Sequence, residues 1–74
     1  MKTVDLHGVR HRDVYGILEK TCMHEDTPFI VVTGHSSTMK KIVQQVALLF
    51  DLEARYWIGD DSVGRMMVVP LENR

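Results

Sequence analysis

The sequence predicts an α+β protein: a two-layer β-α-β-α-β-β sandwich with both helices on one face of a mixed four-stranded sheet. Three observations predict it. Two short apolar runs close on glycine, Thr3 to Gly8 and Phe29 to Gly34, and each leads into a stretch with helical periodicity. Two further strand-like runs flank a polar, glycine-bounded loop, the mark of a hairpin. The chain has 74 residues, which admits one domain over 1–74, and two helices are too few to cover both faces of four strands.

The first strand is read over Thr3 to His7, and Gly8-Val9 turns the chain. A helix follows from about Arg10 to Met23, with Val14, Ile17, Leu18, Thr21 and Cys22 at the spacing of one face. Gly16 weakens it by about 1 kcal/mol relative to alanine. His24 to Pro28 ends it, because proline bars helical continuation. The second strand, Phe29 to Thr33, is continuously apolar, as expected in the centre of a sheet or between two covered faces. Gly34 to Ser37 forms a loop, with Ser36 or Ser37 as N-cap of the second helix. Met39, Ile42, Val43, Val46, Leu49 and Phe50 give that helix its apolar stripe. The third strand is read over Ala54 to Ile58, Gly59 to Gly64 as the hairpin loop, and the fourth strand over Arg65 to Pro70. Right-handed crossovers make the first three strands run one way. The fourth returns antiparallel beside the third, either at the edge or between the second and third.

Composition narrows the function classes. A chain 45% hydrophobic and 26% charged is globular, not a disordered tail. A net charge of -1 argues against gripping nucleic acid by bulk charge and leaves room for a local basic patch. No apolar run approaches the ~18 residues of a membrane helix. Asp5 and His7 stand where a secretion signal would be apolar. The single cysteine, Cys22, cannot form an internal disulfide and falls on the helix stripe as a buried thiol. A reducing compartment, the cytoplasm, is expected. Cys22 and His24 lack zinc spacing with any second pair, and Asp60 and Asp61 read as hairpin residues, so neither a metal nor a cofactor is expected.

The chemistry-bearing residues gather in two motifs. In Val4-Asp5-Leu6-His7-Gly8, residues two apart share a strand face, so Asp5 and His7 point the same way. An imidazole can give and take protons at physiological pH, which makes His7 the main candidate for chemistry. Asp5 can orient it, although Cβ atoms two apart on a strand lie ~7 Å from each other, so contact needs a bent strand end or a water. Thr33-Gly34-His35-Ser36-Ser37 precedes a helix N-terminus, whose free N–H groups and hydroxyls suit a phosphate. If the first two strands are parallel neighbours, both motifs fall on one edge, at the carboxyl ends where α/β sites form. The plainer alternatives are that Asp5 caps a loop, His7 ties backbone together, and the serines are simply an N-cap. Arg10, His11 and Arg12 follow the first strand, and Lys40 and Lys41 open the second helix. Cations there oppose the helix dipole by ~0.3–1 kcal/mol, which a polyanion on this edge rationalises. Tyr15, Tyr56 and Trp57 are available to stack on bases, and adjacent Tyr56 and Trp57 face opposite ways.

The first motif resembles the Leu-Asp-Leu-His-Gly signature of the Smr domain family, with Val4 in place of the first leucine. Thr33-Gly34-His35-Ser36 sits where that family has a Thr/His-Gly-x-Gly motif, with Ser36 at the second glycine. The resemblance covers nearly the whole chain in element order. It implies the fold of the C-terminal domain of bacterial translation initiation factor three, and with it strand order 1-2-4-3. It also implies a nucleic-acid partner, since Smr domains nick DNA, cleave RNA at stalled ribosomes or only bind. The expectation is an endoribonuclease acting on structured or ribosome-associated RNA, with RNA favoured over DNA. Asp5, His7 and His35 would be catalytic, and Gly8, Arg10, Arg12, Gly34, Ser36, Ser37, Lys40 and Lys41 would hold the nucleic acid. The alternatives are a non-catalytic RNA- or ribosome-binding module, a DNA-nicking endonuclease and a protein-interaction domain.

Overall fold

The computed structural model describes residues 1–56 and 64–72. Its elements are β1 (Thr3–Asp5), α1 (His11–His24), β2 (Phe29–Val32), α2 (Ser37–Leu49), β3 (Leu52–Tyr56) and β4 (Arg65–Pro70). The sheet is ordered β1-β2-β4-β3. β1 and β2 are parallel, and β4 is antiparallel to both β2 and β3. The fourth strand is therefore inserted, not at the edge. Composition explains why: β4 buries Met66 and Val68, whereas β3 carries Glu53 and Arg55, joined by a 3.3 Å ion pair, which suit an edge.

The register sorts the strands into two faces. Val4 aligns with Val31, Val31 with Met66, and Phe29 and Ala54 with Val68. This face packs against Val14 and Leu18 of α1 and Met39, Val43, Val46 and Ala47 of α2 as one core. Each large side chain so buried contributes ~1.5–3 kcal/mol. The other face presents Thr3, Asp5, Ile30, Val32, Arg65, Met67, Val69, Glu53 and Arg55, and no described helix covers it. The apolar run of β2 thus reflects a central strand with one buried and one half-buried face.

Local chemistry sets the boundaries where they depart from the sequence reading. β1 stops at Asp5, two residues early, because Asp5 Oδ1 accepts the His7 N–H at 2.9 Å. The Val9 N–H then returns to Leu6 O at 2.9 Å, with Gly8 at φ 83° in the turn. Leu6 still donates to Val32 O at 2.8 Å and its side chain is fully buried, so the chain leaves the sheet only after plugging the core. β3 starts at Leu52, two residues earlier than expected. Asp51 turns in the left-handed region at φ 59°, a conformation aspartate tolerates, and delivers the chain from α2 straight into the sheet. On α1 Val14, Leu18 and Thr21 are buried, Cys22 is half-buried and Ile17 is exposed. On α2 Ala47 takes the core position expected of Leu49, which is exposed. At about 100° per residue, Leu49 lies some 100° from the stripe that Met39, Val43, Val46, Ala47 and Phe50 define. The loop expected over Gly59 to Gly64 falls outside the described residues except for Gly64.

Candidate nucleic-acid interface

The strand directions decide what meets at one edge. The carboxyl ends of parallel β1 and β2 are neighbours, β4 begins beside them, and β3 ends there. The amino ends of α1 and α2 open from the same edge. Four segments converge: Leu6 to Arg12, Thr33 to Lys41, Tyr56, and Gly64 with Arg65. The two motifs read from the sequence are thus brought side by side.

The floor of this edge is a close backbone contact. Gly64 O accepts the N–H of Thr33 at 2.7 Å and of Gly34 at 3.0 Å. The buried Thr33 hydroxyl lies 2.9 Å from Gly34 O and 3.2 Å from Gly64 O, and its one proton serves either. A Cβ at Gly64 would stand 3.2 Å from Gly34 Cα, tighter than most Cβ contacts, so any larger residue would require the Gly34 backbone to shift. Gly34 itself has φ 69°, and a Cβ there would stand 3.3 Å from Cδ2 of His7. The His7 ring therefore lies against the peptide at Gly34, one residue from His35.

The predicted catalytic residues divide. His7 and His35 are exposed at this edge, and their ring nitrogens make no hydrogen bond to a described residue. Asp5 lies on the uncovered sheet face and its carboxylate is engaged by the His7 backbone. That is the loop-capping role weighed as the plainer alternative. Ser36 is the N-cap of α2: its Oγ accepts the Met39 N–H at 3.0 Å, which leaves its own O–H to donate. The N–H groups of Ser37 and Thr38 have no partner among the described residues. A phosphate oxygen can be met there by two N–H groups and by the hydroxyls of Ser36 and Ser37.

Five described cations frame the edge: Arg10, Arg12, Lys40, Lys41 and Arg65. Arg10, Arg12, Lys41 and Arg65 form no ion pair among the described residues. α2 has no acid in its first turn, whereas α1 has Asp13. Lys40 Nζ lies 5.8 Å from the ring centroid of Tyr56, which is 58% exposed. Tyr56, a stacking candidate from the sequence, and Thr33 of the second motif lie at this edge, and Gly64 and Arg65 extend the predicted set. Arg65 and Gly64 join only through the insertion of β4 beside β2, which neither spacing nor periodicity reveals. The aromatic Tyr15 is exposed on α1, and Trp57, Asp60 and Asp61 lie outside the described residues.

Among the described residues no three His, Cys, Asp or Glu side chains stand close enough to hold a metal ion. No described helix is long and apolar enough to cross a membrane. Away from the edge, burial pushes the Cys22 thiol above its ordinary pKa, in keeping with a thiol packed against the core. Comparison with protein-family models, curated proteins and solved structures finds no match to this chain.

Proposed function

We propose that this chain is a Smr-like RNA-binding domain that cleaves RNA by acid/base chemistry centred on His7. The observation that carries the reading is the meeting of His7, His35 and five cations at one sheet edge. Arg10, Arg12, Lys40, Lys41 and Arg65 supply the phosphate-directed charge that a net charge of -1 conceals. In the cleavage step His7 takes the proton of a ribose 2′-OH and the 2′-oxygen attacks the adjacent phosphorus. His35 gives a proton to the departing 5′-oxygen. The products are a 2′,3′-cyclic phosphate and a 5′-hydroxyl. The RNA is cytoplasmic, free or ribosome-bound.

The test is incubation of wild type and His7→Ala with structured RNA and with translating ribosomes, in EDTA, reading the RNA ends. Cyclic phosphate ends from wild type alone support the reading. Absence of those ends, or equal cleavage by both proteins, sinks the catalytic part.

One observation favours a second reading. Asp5 caps the His7 backbone, and among the described residues no carboxylate is hydrogen-bonded to the imidazole to orient it. A non-catalytic RNA-binding module needs no such partner. It would bind RNA with a steep salt dependence, leave it intact, and lose affinity on Arg10→Ala and Lys40→Ala but not on His7→Ala.

A further inference from the structure

We infer that Tyr56 is a stacking platform for an unpaired base, so the RNA taken by this edge is single-stranded. The inference rests on the RNA-binding reading above and adds the class of substrate. Tyr56 is the last described residue of β3 and lies at the same edge as the two histidine motifs. It shares a sheet face with Ala54, and its register partner Met66 is fully buried. The core is closed around those two side chains, yet the tyrosine is 58% exposed. An aromatic side chain so placed leaves more than half of its residue's surface open to a partner.

Lys40 supplies the second half of the argument. Its ammonium lies 5.8 Å from the ring centroid, close to the ~6 Å limit of a cation–π contact. At an exposed site such a contact is weak, about 0.5–1 kcal/mol, and a phosphate readily draws the ammonium away. A π-face and a cation side by side match the two parts of a nucleotide, base and phosphate. Duplex RNA cannot use this pair, because its bases are stacked inside the helix and it presents riboses and phosphates outward. β1 and β3 are the two outer strands. At ~4.8 Å per strand spacing, three spacings put the ends of β1 and β3 ~14 Å apart. A few unpaired nucleotides span that distance, so one strand can place a base on Tyr56 and a phosphodiester near His7.

The test compares binding to a short oligouridylate, an abasic strand of equal length and a duplex. All are 2′-O-methylated, which removes the attacking hydroxyl. The expected result is that Tyr56→Leu weakens oligouridylate binding by about 5- to 100-fold, the range for one base–aromatic stack. Binding to the abasic strand and the duplex stays unchanged, and Tyr56→Trp retains the wild-type preference for base-bearing strands. Equal losses on both single strands, or no loss on either, overturn the inference while RNA binding stands. Failure of wild type to bind any of the three in a salt-dependent way overturns the RNA-binding reading and this inference with it.

Discussion

The two ends of the sheet carry opposite charge. At the edge where β1 and β2 end stand five described cations, Arg10, Arg12, Lys40, Lys41 and Arg65, against two described acids, Asp5 and Asp13. At the other end stand Glu25, Asp26, Asp51 and Glu72, with Lys2 and the amino terminus beside them. The first end holds both helix amino termini and the second both helix carboxyl termini. Cations at the one and acids at the other both oppose the helix dipole, at ~0.3–1 kcal/mol each. Helix stability therefore does not account for the polarity. Two ends differ in backbone as well: the first has two glycine-dependent contacts around His7, and the second a shallow cleft of about 400 Å³ lined by Met1, Lys2, Glu25, Asp26, Thr27 and Pro28. A chain of net charge -1 thus gathers five of its described Lys and Arg residues on one edge.

Substitutions at the two ends should have different effects. The largest effect is expected at the histidines. His7→Ala should lower RNA cleavage by about 10²- to 10⁴-fold, the range for a general acid or base, with RNA affinity retained. His24→Ala, at the far end, should leave cleavage unchanged; end-labelled RNA assays read both. Next comes the floor beneath His7. Gly64→Ala and Gly34→Ala should each destabilise the fold by about 1–3 kcal/mol, the first through the 3.2 Å approach to Gly34 Cα and the second through φ 69° and the 3.3 Å approach to His7. Gly16→Ala, where a Cβ meets nothing within 4 Å, should stabilise by up to about 1 kcal/mol. Thermal melts decide between these signs.

Smaller effects follow from charge. Lys40→Ala and Arg65→Ala should each flatten the plot of log affinity against log salt by ~0.7 for a single-stranded RNA. Glu25→Gln with Asp26→Asn should leave that slope unaltered. The molecule is 30 Å in its longest extent, several times the ~8–10 Å over which salt screens exposed charges. The smallest effect concerns Cys22, whose folded pKa is raised by burial. The neutral thiol is the form the fold favours, so this contribution to stability is fully present below the unfolded thiol pKa. It is lost as pH rises through the higher folded value. Alkylation of Cys22 in the native protein should accordingly lag behind that in urea, and the lag should narrow only in alkaline buffer.

Most of the fold was legible because its signals are periodic. The stripes Val14-Leu18-Thr21 and Met39-Val43-Val46 repeat at helical spacing, and Arg65 to Pro70 reads as a strand with no competing pattern. The ends of elements were less legible, because single hydrogen bonds decide them. The Asp5 carboxylate stops β1 by taking the His7 N–H, and Asp51 starts β3 early by turning left-handed. The convergence of the two glycine-histidine motifs follows from parallel pairing of β1 and β2 and could be read from local sequence. Tyr56 could be read as a stacking candidate, but the contributions of Gly64 and Arg65 could not be read from local sequence, since they depend on which strand lies beside β2; the strand order 1-2-4-3 came from the family resemblance. Asp5 shows the limit in the other direction. A spacing of two suggested a carboxylate–imidazole pair, and the carboxylate instead closes a turn.

If this chain binds RNA as proposed, RNA meets the carboxyl-end edge and no other surface. The most direct measurement is titration of the ¹⁵N-labelled chain with a short single-stranded, 2′-O-methylated RNA, following backbone amide resonances. The account predicts shifts concentrated at His7, Gly8, Gly34, His35, Ser37, Tyr56 and Gly64, fading as salt is raised, with Lys2, Glu25, Asp26 and Asp51 unmoved. Shifts centred on the far end, on the uncovered face at Ile30 and Met67, or nowhere would contradict it.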